Sequence, residues 1–209
     1  FFLFETVYCQ TNIDINQLVG FENFLNKEIK NGEIAGAEVL IFKNKKIIWH
    51  KNLGYKNYLS KSPLKKNSIY YIQSMTKPII SAAIMQLIEK GLLKLDDLAE
   101  IYIPEMKNLK VIIDPNKGID GPTTDLERKI TIKQLLTHTS GLSHGLGENL
   151  YEKQLFKLMY NELFDPADYN KLEERIEALF KAPLVRQPGE EWYYSASTDV
   201  LALILQRIT

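Results

Sequence analysis

Two apolar stretches constrain this chain most. Residues 79–90 include Ile79, Ile80, Ala83, Ile84, Leu87 and Ile88, and residues 198–208 include Val200, Leu201, Leu203, Ile204 and Leu205. Helices this apolar must cover a surface. Yet only two segments read as good strands, 37–42 and 47–51, joined by the polar turn 43–46 into a β-hairpin. A two-stranded hairpin is marginal alone and needs more sheet or a helical cover. The inventory therefore reads as an α/β chain whose remaining strands lie beyond Thr209, an N-terminal piece of a larger protein.

The other elements follow from local signals. Asp14-Ile15-Asn16-Gln17 is a capping-box-like start, with apolar residues at 15, 18, 21, 25 and 29 at helical spacing and Asn31-Gly32 as the stop. Residues 54–67 read as polar and turn-rich, and 92–103 as a short amphipathic helix ending before Pro104. Residues 107–125 read as loop, with a short strand at 111–113. Thr131-Ile132-Lys133-Gln134 is a second capping box, opening a helix through His138 that Thr139-Ser140-Gly141 stops. Helices are expected at 151–162 and 170–180, an extended segment at 191–194, and a last helix from Ser197.

Composition excludes several classes. Lys+Arg and Asp+Glu both number 26, so there is no global basic field for nucleic acid. The single cysteine, Cys9, excludes an internal disulfide framework and a cysteine-based zinc site. His50, His138 and His144 lack the spacing of a helical metal motif. No apolar run approaches membrane-spanning length. Phe1-Phe2-Leu3-Phe4 suggests the tail of a signal-peptide apolar region with Cys9 as a lipid-attachment site, although Thr6, Val7 and Tyr8 are not the small residues such processing prefers.

Against that background, Ser74-Met75-Thr76-Lys77 stands at the head of the first apolar helix. Residues three apart share a helix face, so Ser74 and Lys77 point the same way. A serine hydroxyl needs a base beside it, and a lysine serves if burial lowers its pKa. Pro78 lacks an N–H and fits only near a helix start. The spacing itself is expected about once by chance, and a second copy, Ser62-Pro63-Leu64-Lys65, lies in a polar segment that reads as loop. Spacing alone favours a capping serine and a solvated lysine. Further on, Pro188-Gly189 leads to Trp192-Tyr193-Tyr194-Ser195. A tyrosine near an ammonium has its phenolate favoured, so Tyr194 can share the serine's proton with Lys77. By residue type alone, wall or core aromatics account for 192–194 more simply.

Three motifs in order carry a resemblance: Ser74-Met75-Thr76-Lys77-Pro78, then Leu136-Thr137-His138-Thr139-Ser140-Gly141-Leu142, then Pro188-Gly189 through Trp192-Tyr193-Tyr194-Ser195. Together they resemble the class C β-lactamase-related serine hydrolases, which include family VIII carboxylesterases, acyltransferases, D-amino-acid-releasing peptidases and penicillin-binding proteins. Leu95-Asp96-Asp97 and Tyr102-Ile103-Pro104 fit the same pattern, and the resemblance runs from about residue 15 to 209. It implies a β-lactamase/transpeptidase-like α/β fold, with an N-terminal helix and hairpin belonging to an antiparallel sheet plus a mostly helical domain. The implied domains are a leader or disordered segment at 1–14, part of the sheet domain at 15–72, and a helical domain at 73–209.

The resemblance further implies Ser74 as nucleophile, Lys77 and Tyr194 as a coupled base and acid, and Trp192 as a substrate-wall candidate. The backbone N–H of Ser74 would supply half of an oxyanion hole. The other half belongs in the family to a later strand bearing Lys-Thr-Gly or His-x-Gly, which does not occur after Tyr194, so this chain alone is expected to be inactive. No cofactor or metal is implied, and the partner is a small ester or amide substrate. Class C lactamases carry Tyr-x-Asn, whereas the third residue here is Ala196. That departure favours carboxylic esters over β-lactams or peptides. A β-lactamase or DD-peptidase remains the alternative, and a non-catalytic binding protein of the same fold a third. His138 reads as part of a structural turn, and His144, in a glycine-bearing loop, as a surface histidine ahead of the alternative that it lines the mouth of the cleft. Oligomeric state and compartment stay open.

Overall fold

The computed structural model describes residues 14–160 and 169–209. They form two compact units that divide after Tyr71. The leader reading of 1–14 and the Cys9 reading lie outside the described residues, save for Asp14.

In the first unit, helix α1 (Ile15–Asn31) begins where the Asp14 side chain accepts the N–H of Asn16 at 2.9 Å. It ends at Gly32, whose φ of 82° lies in the left-handed region. Strands β1 (Gly36–Lys43) and β2 (Lys46–Asn57) pair antiparallel around Asn44 and Lys45, both with positive φ. That is the turn geometry that suits a twisted hairpin. The second strand is more than twice the length expected. It runs on through the segment read as turn-rich because Gly54 is not a turn. It faces Gly36, where a Cβ would come within 3.0 Å of the Gly36 Cα. A glycine inside a strand marks such close approach of backbones. A third strand, β3 (Ser62–Pro63), then pairs with β2, so the hairpin reading is corrected to a three-stranded sheet of order β1-β2-β3. The Phe21 ring of α1 lies 6.3 Å from that of Trp49 on β2.

The second unit opens with a 3-10 turn, Gln73–Met75, that feeds helix α2 (Thr76–Glu89), closed by Gly91 at φ 70°. The helix expected at 92–103 does not form. Asp97 instead accepts the N–H of Lys94 and the hydroxyl of Tyr102, both at 2.8 Å, an aspartate turn that competes with helix. The backbone of this stretch bonds across to 130–133: Ala99 N–H to the Ile130 carbonyl, Ile132 N–H to that of Asp97, and Lys133 N–H to that of Leu95. Only 3-10 turns remain, at Ala99–Ile101 and Pro104–Asn108.

Strand β4 (Val111–Ile112) forms where a strand was expected and pairs with β5 (Thr123–Thr124). Helix α3 (Ile132–Leu136) carries the Thr131–Gln134 capping box and stops short of His138. Helices α4 (Leu150–Met159), α5 (Leu172–Leu179) and α6 (Ser197–Ile208) follow. The core of this unit is built around α6. Val200, Leu201, Leu203 and Ile204 are buried, and the helix packs against α2, α3 and α5. The apolar run 198–208 is thus covered by helices rather than by the sheet that its composition suggested.

Candidate active site

Ser74 sits in the 3-10 turn that launches α2. The residue before it, Gln73, has φ 49°. A non-glycine residue in this region marks local strain, which collects at functional turns. Lys77 lies in the first turn of α2, and its Nζ is 3.3 Å from Ser74 Oγ. Tyr194 arrives from the far side, its hydroxyl donating to Ser74 Oγ at 2.8 Å. Lys77 Nζ also stands 4.8 Å from the centre of the Tyr194 ring. The three residues are brought together although Tyr194 lies 120 positions along the chain from Ser74. The other Ser-x-x-Lys copy is elsewhere: Ser62 and Pro63 form β3, not a helix start.

The electrostatics suit proton transfer. Burial pushes the Tyr194 phenol up, but hydrogen bonds to Lys77 and Ser74 and the Lys77 charge outweigh it, so its pKa falls below that of an ordinary phenol. His138 and His144 are both held below the usual imidazole range, by burial first and by the Lys77 charge second.

Tyr194 is braced by rings. His138 lies 5.0 Å from it, centre to centre, and His144 stacks on it at 5.2 Å with 20° between planes. His144 is itself stacked on Tyr160 at 5.6 Å. His144 is therefore not the surface histidine that its glycine-rich surroundings suggested, because the loop folds its ring inward against Tyr194. Trp192, at 64% exposure, is not a core residue. Its ring stands 6.4 Å from both His138 and Tyr194, at the rim of the site.

The loop that carries Tyr194 is tied to the turn after α3. Tyr193 N–H donates to the His138 carbonyl at 2.8 Å, and Ser195 N–H to His138 Nδ1 at 3.3 Å. Behind them runs a buried chain of hydroxyls. Ser140 Oγ and Ser195 Oγ each lie 2.7 Å from Ser197 Oγ, and Ser195 Oγ lies 3.1 Å from His138 Nδ1. Ser140 and Ser195 stand in the motifs read from sequence, but their bonding through Ser197 escaped that reading, as did Ser143 and Glu152 beside them. Ser140 and Ser197 stand 57 positions apart, as do His138 and Ser195, so no local spacing marks the network. Among the described residues, no group of three or more His, Cys, Asp and Glu is placed to hold a metal, and no helix is long and apolar enough to cross a membrane.

The family model described as Beta-lactamase matches residues 21–209. Esterase EstB of Burkholderia gladioli is 28% identical over 88% of this chain and 43% of its own length. Acyltransferase calJ of Penicillium decumbens is 32% identical over 77% of this chain and 37% of its own. Among solved structures, EstCE1, described as a hydrolase with promiscuous acyltransferase activity, superposes with a TM-score of 0.75 at 26% identity, covering 92% of this chain and 47% of that one. The chain spans less than half the length of each of these proteins.

Proposed function

Because the chain belongs to the Beta-lactamase family, we propose that the protein is a serine hydrolase acting through an acyl-enzyme on carboxylic esters. The observation that carries this reading is the Ser74 hydroxyl met from two sides, by Lys77 Nζ at 3.3 Å and by the Tyr194 hydroxyl at 2.8 Å. Ser74 Oγ attacks the ester carbonyl carbon while its proton passes to Tyr194, acting as the phenolate that Lys77 stabilises. The Ser74 backbone N–H donates to the oxyanion. The tetrahedral intermediate collapses by breaking the ester C–O bond, and the departing alkoxide takes the proton from Tyr194. Water, deprotonated by the same pair, then attacks the acyl carbon, and Ser74 Oγ leaves with the returned proton.

Replacing that water by an alcohol gives acyl transfer at the same site. The acyltransferase calJ and the EstCE1 description favour this as a second outcome. Trp192, exposed beside Tyr194, is the proposed apolar wall for the substrate. Ala196 is buried and offers no amide where β-lactam-processing relatives carry asparagine, which supports esters over β-lactams. The test is turnover of p-nitrophenyl acetate and nitrocefin by the full-length protein. Ester turnover should fall at least about 10³-fold in Ser74→Ala and at least about 10²-fold in Lys77→Ala and Tyr194→Phe. Unchanged turnover in all three would overturn these roles. Preferred turnover of nitrocefin would shift the assignment to a β-lactamase or DD-peptidase, and ligand binding with no turnover to a non-catalytic binding protein.

A further inference from the structure

Glu152, on α4, is 1% exposed, and among the described residues it forms no ion pair. A carboxylate is costly to bury unless hydrogen bonds replace its water. Here they come from two loops. Ser143 Oγ lies 2.7 and 2.6 Å from the two carboxylate oxygens, and the Tyr193 hydroxyl donates at 3.0 Å. Each donor adjoins a residue of the candidate site. Tyr193 precedes Tyr194 in a run without helix, and consecutive side chains of an extended run point to opposite sides. Anchoring the Tyr193 phenol inward therefore turns Tyr194 outward, toward Ser74. On the other side, Ser143 Oγ accepts the N–H of His144 at 2.5 Å and of Gly145 at 3.2 Å. This fixes the backbone that presents the His144 ring to Tyr194. The fit is close, since a Cβ on Gly147 would come within 2.6 Å of Glu152 Cγ.

We propose that Glu152 is a positioning residue for Tyr194, holding through Tyr193 and Ser143 the two loops that aim its hydroxyl at Ser74. This rests on the serine-hydrolase reading above. The Tyr193 phenol is pushed up to about 12, by burial first and by the Glu152 charge second. It therefore stays protonated and keeps donating. The charged and titratable groups that act on Tyr194 are Lys77, Asp199 and Tyr160, with the His138 and His144 rings packed against it. If Tyr194 swings away from Lys77, its phenolate loses the neighbouring cation and the base titrates at higher pH.

The test measures, in the full-length protein, the pH dependence of Ser74 labelling by a fluorophosphonate, together with kcat and KM for p-nitrophenyl acetate and the urea midpoint. The variants are Glu152→Gln, Tyr193→Phe and Tyr194→Phe. Tyr193→Phe removes one hydroxyl from a half-buried ring and keeps the test valid should Glu152→Gln fail to fold. Expected are a fall in kcat of about 10- to 100-fold with little change in KM, and a labelling midpoint moved to higher pH, in Glu152→Gln and Tyr193→Phe. Unchanged kcat and midpoint in Tyr193→Phe, or a loss that only tracks the unfolded fraction with the midpoint unmoved, would overturn the proposal. If Tyr194→Phe labels at the wild-type rate, the role given to Tyr194 fails and this proposal with it. If Tyr194→Phe is slow while the other two variants behave as wild type, only the role of Glu152 fails.

Discussion

At the scale of single residues, His138 shows how much of the site is held by backbone. Its φ of 55° is unusual for histidine. The strain is tolerated because the turned residue makes two bonds to the tyrosine loop at once, its carbonyl to Tyr193 N–H and its Nδ1 to Ser195 N–H. Since Nδ1 accepts a backbone N–H, the neutral ring carries its proton on Nε2. Asparagine tolerates the left-handed region well and offers a side-chain acceptor, whereas alanine does neither. His138→Ala is expected to cost about 1–3 kcal/mol, the range for leaving a buried donor without its acceptor, and His138→Asn clearly less. Urea unfolding of the two variants checks this, and equal losses would remove Nδ1 from the account.

At the scale of elements, Gly91 closes α2 and Gly141 lies in the turn beyond α3, both with positive φ, 70° and 83°, yet their surroundings differ. Nothing lies within 4 Å of a Cβ placed on Gly91. One placed on Gly141 would collide with the Arg186 carbonyl, in the segment whose Val185 N–H and Gly189 N–H bond back to the Gly141 and Thr139 carbonyls. Gly91→Ala should therefore cost only the conformational penalty, about 1–2 kcal/mol. Gly141→Ala should cost clearly more and disturb the loop that leads to Tyr194, measured as a lower urea midpoint together with slower Ser74 labelling. The Gly91 stop was legible in the sequence, as were the Thr131–Gln134 capping box and the starts of α1 and α6, because their signals are local, whereas α3 ends at Leu136, ahead of the stop expected at Thr139-Ser140-Gly141. The stretch 92–103 was not legible, since its amphipathic spacing suits a helix but its backbone bonds across the fold, Ala99 N–H to the Ile130 carbonyl and the Leu95 and Asp97 carbonyls to the N–H groups of Lys133 and Ile132. Nor was the length of β2, where a glycine that signals a turn instead permits two strands to approach. The same division runs through the site. The closeness of Ser74 and Lys77 was readable from their spacing at a helix start, although spacing alone favoured a capping serine and a solvated lysine. Tyr194 was reached only through the order of three motifs, the stacking of His144 on it and the role of Glu152 by nothing short of the folded arrangement.

At the scale of the whole molecule, the two depressed histidines tie stability to pH. His138 and His144 bind protons less readily folded than unfolded, so the unfolded chain holds more protons near neutrality and stability rises with pH there. Their contribution is fully present above the ordinary imidazole value of 6.5 and is lost as pH falls through the lower folded values. The carboxyl groups of Asp97 and Glu105 are depressed as well. Asp97 owes this first to the Tyr102 hydroxyl and Glu105 first to Arg207, so their contribution fades only as pH falls below the ordinary carboxylate range. Urea midpoints measured across pH should therefore be level above about pH 7, decline in a first step below 6.5, and decline again in the carboxylate range. Replacing both histidines by asparagine should flatten the first step and leave the second. A first step that survives the double substitution would mean that some other group carries the neutral-range dependence. Because protonation of His138 also removes the acceptor for Ser195 N–H, Ser74 labelling should weaken over the same first step, ahead of global unfolding.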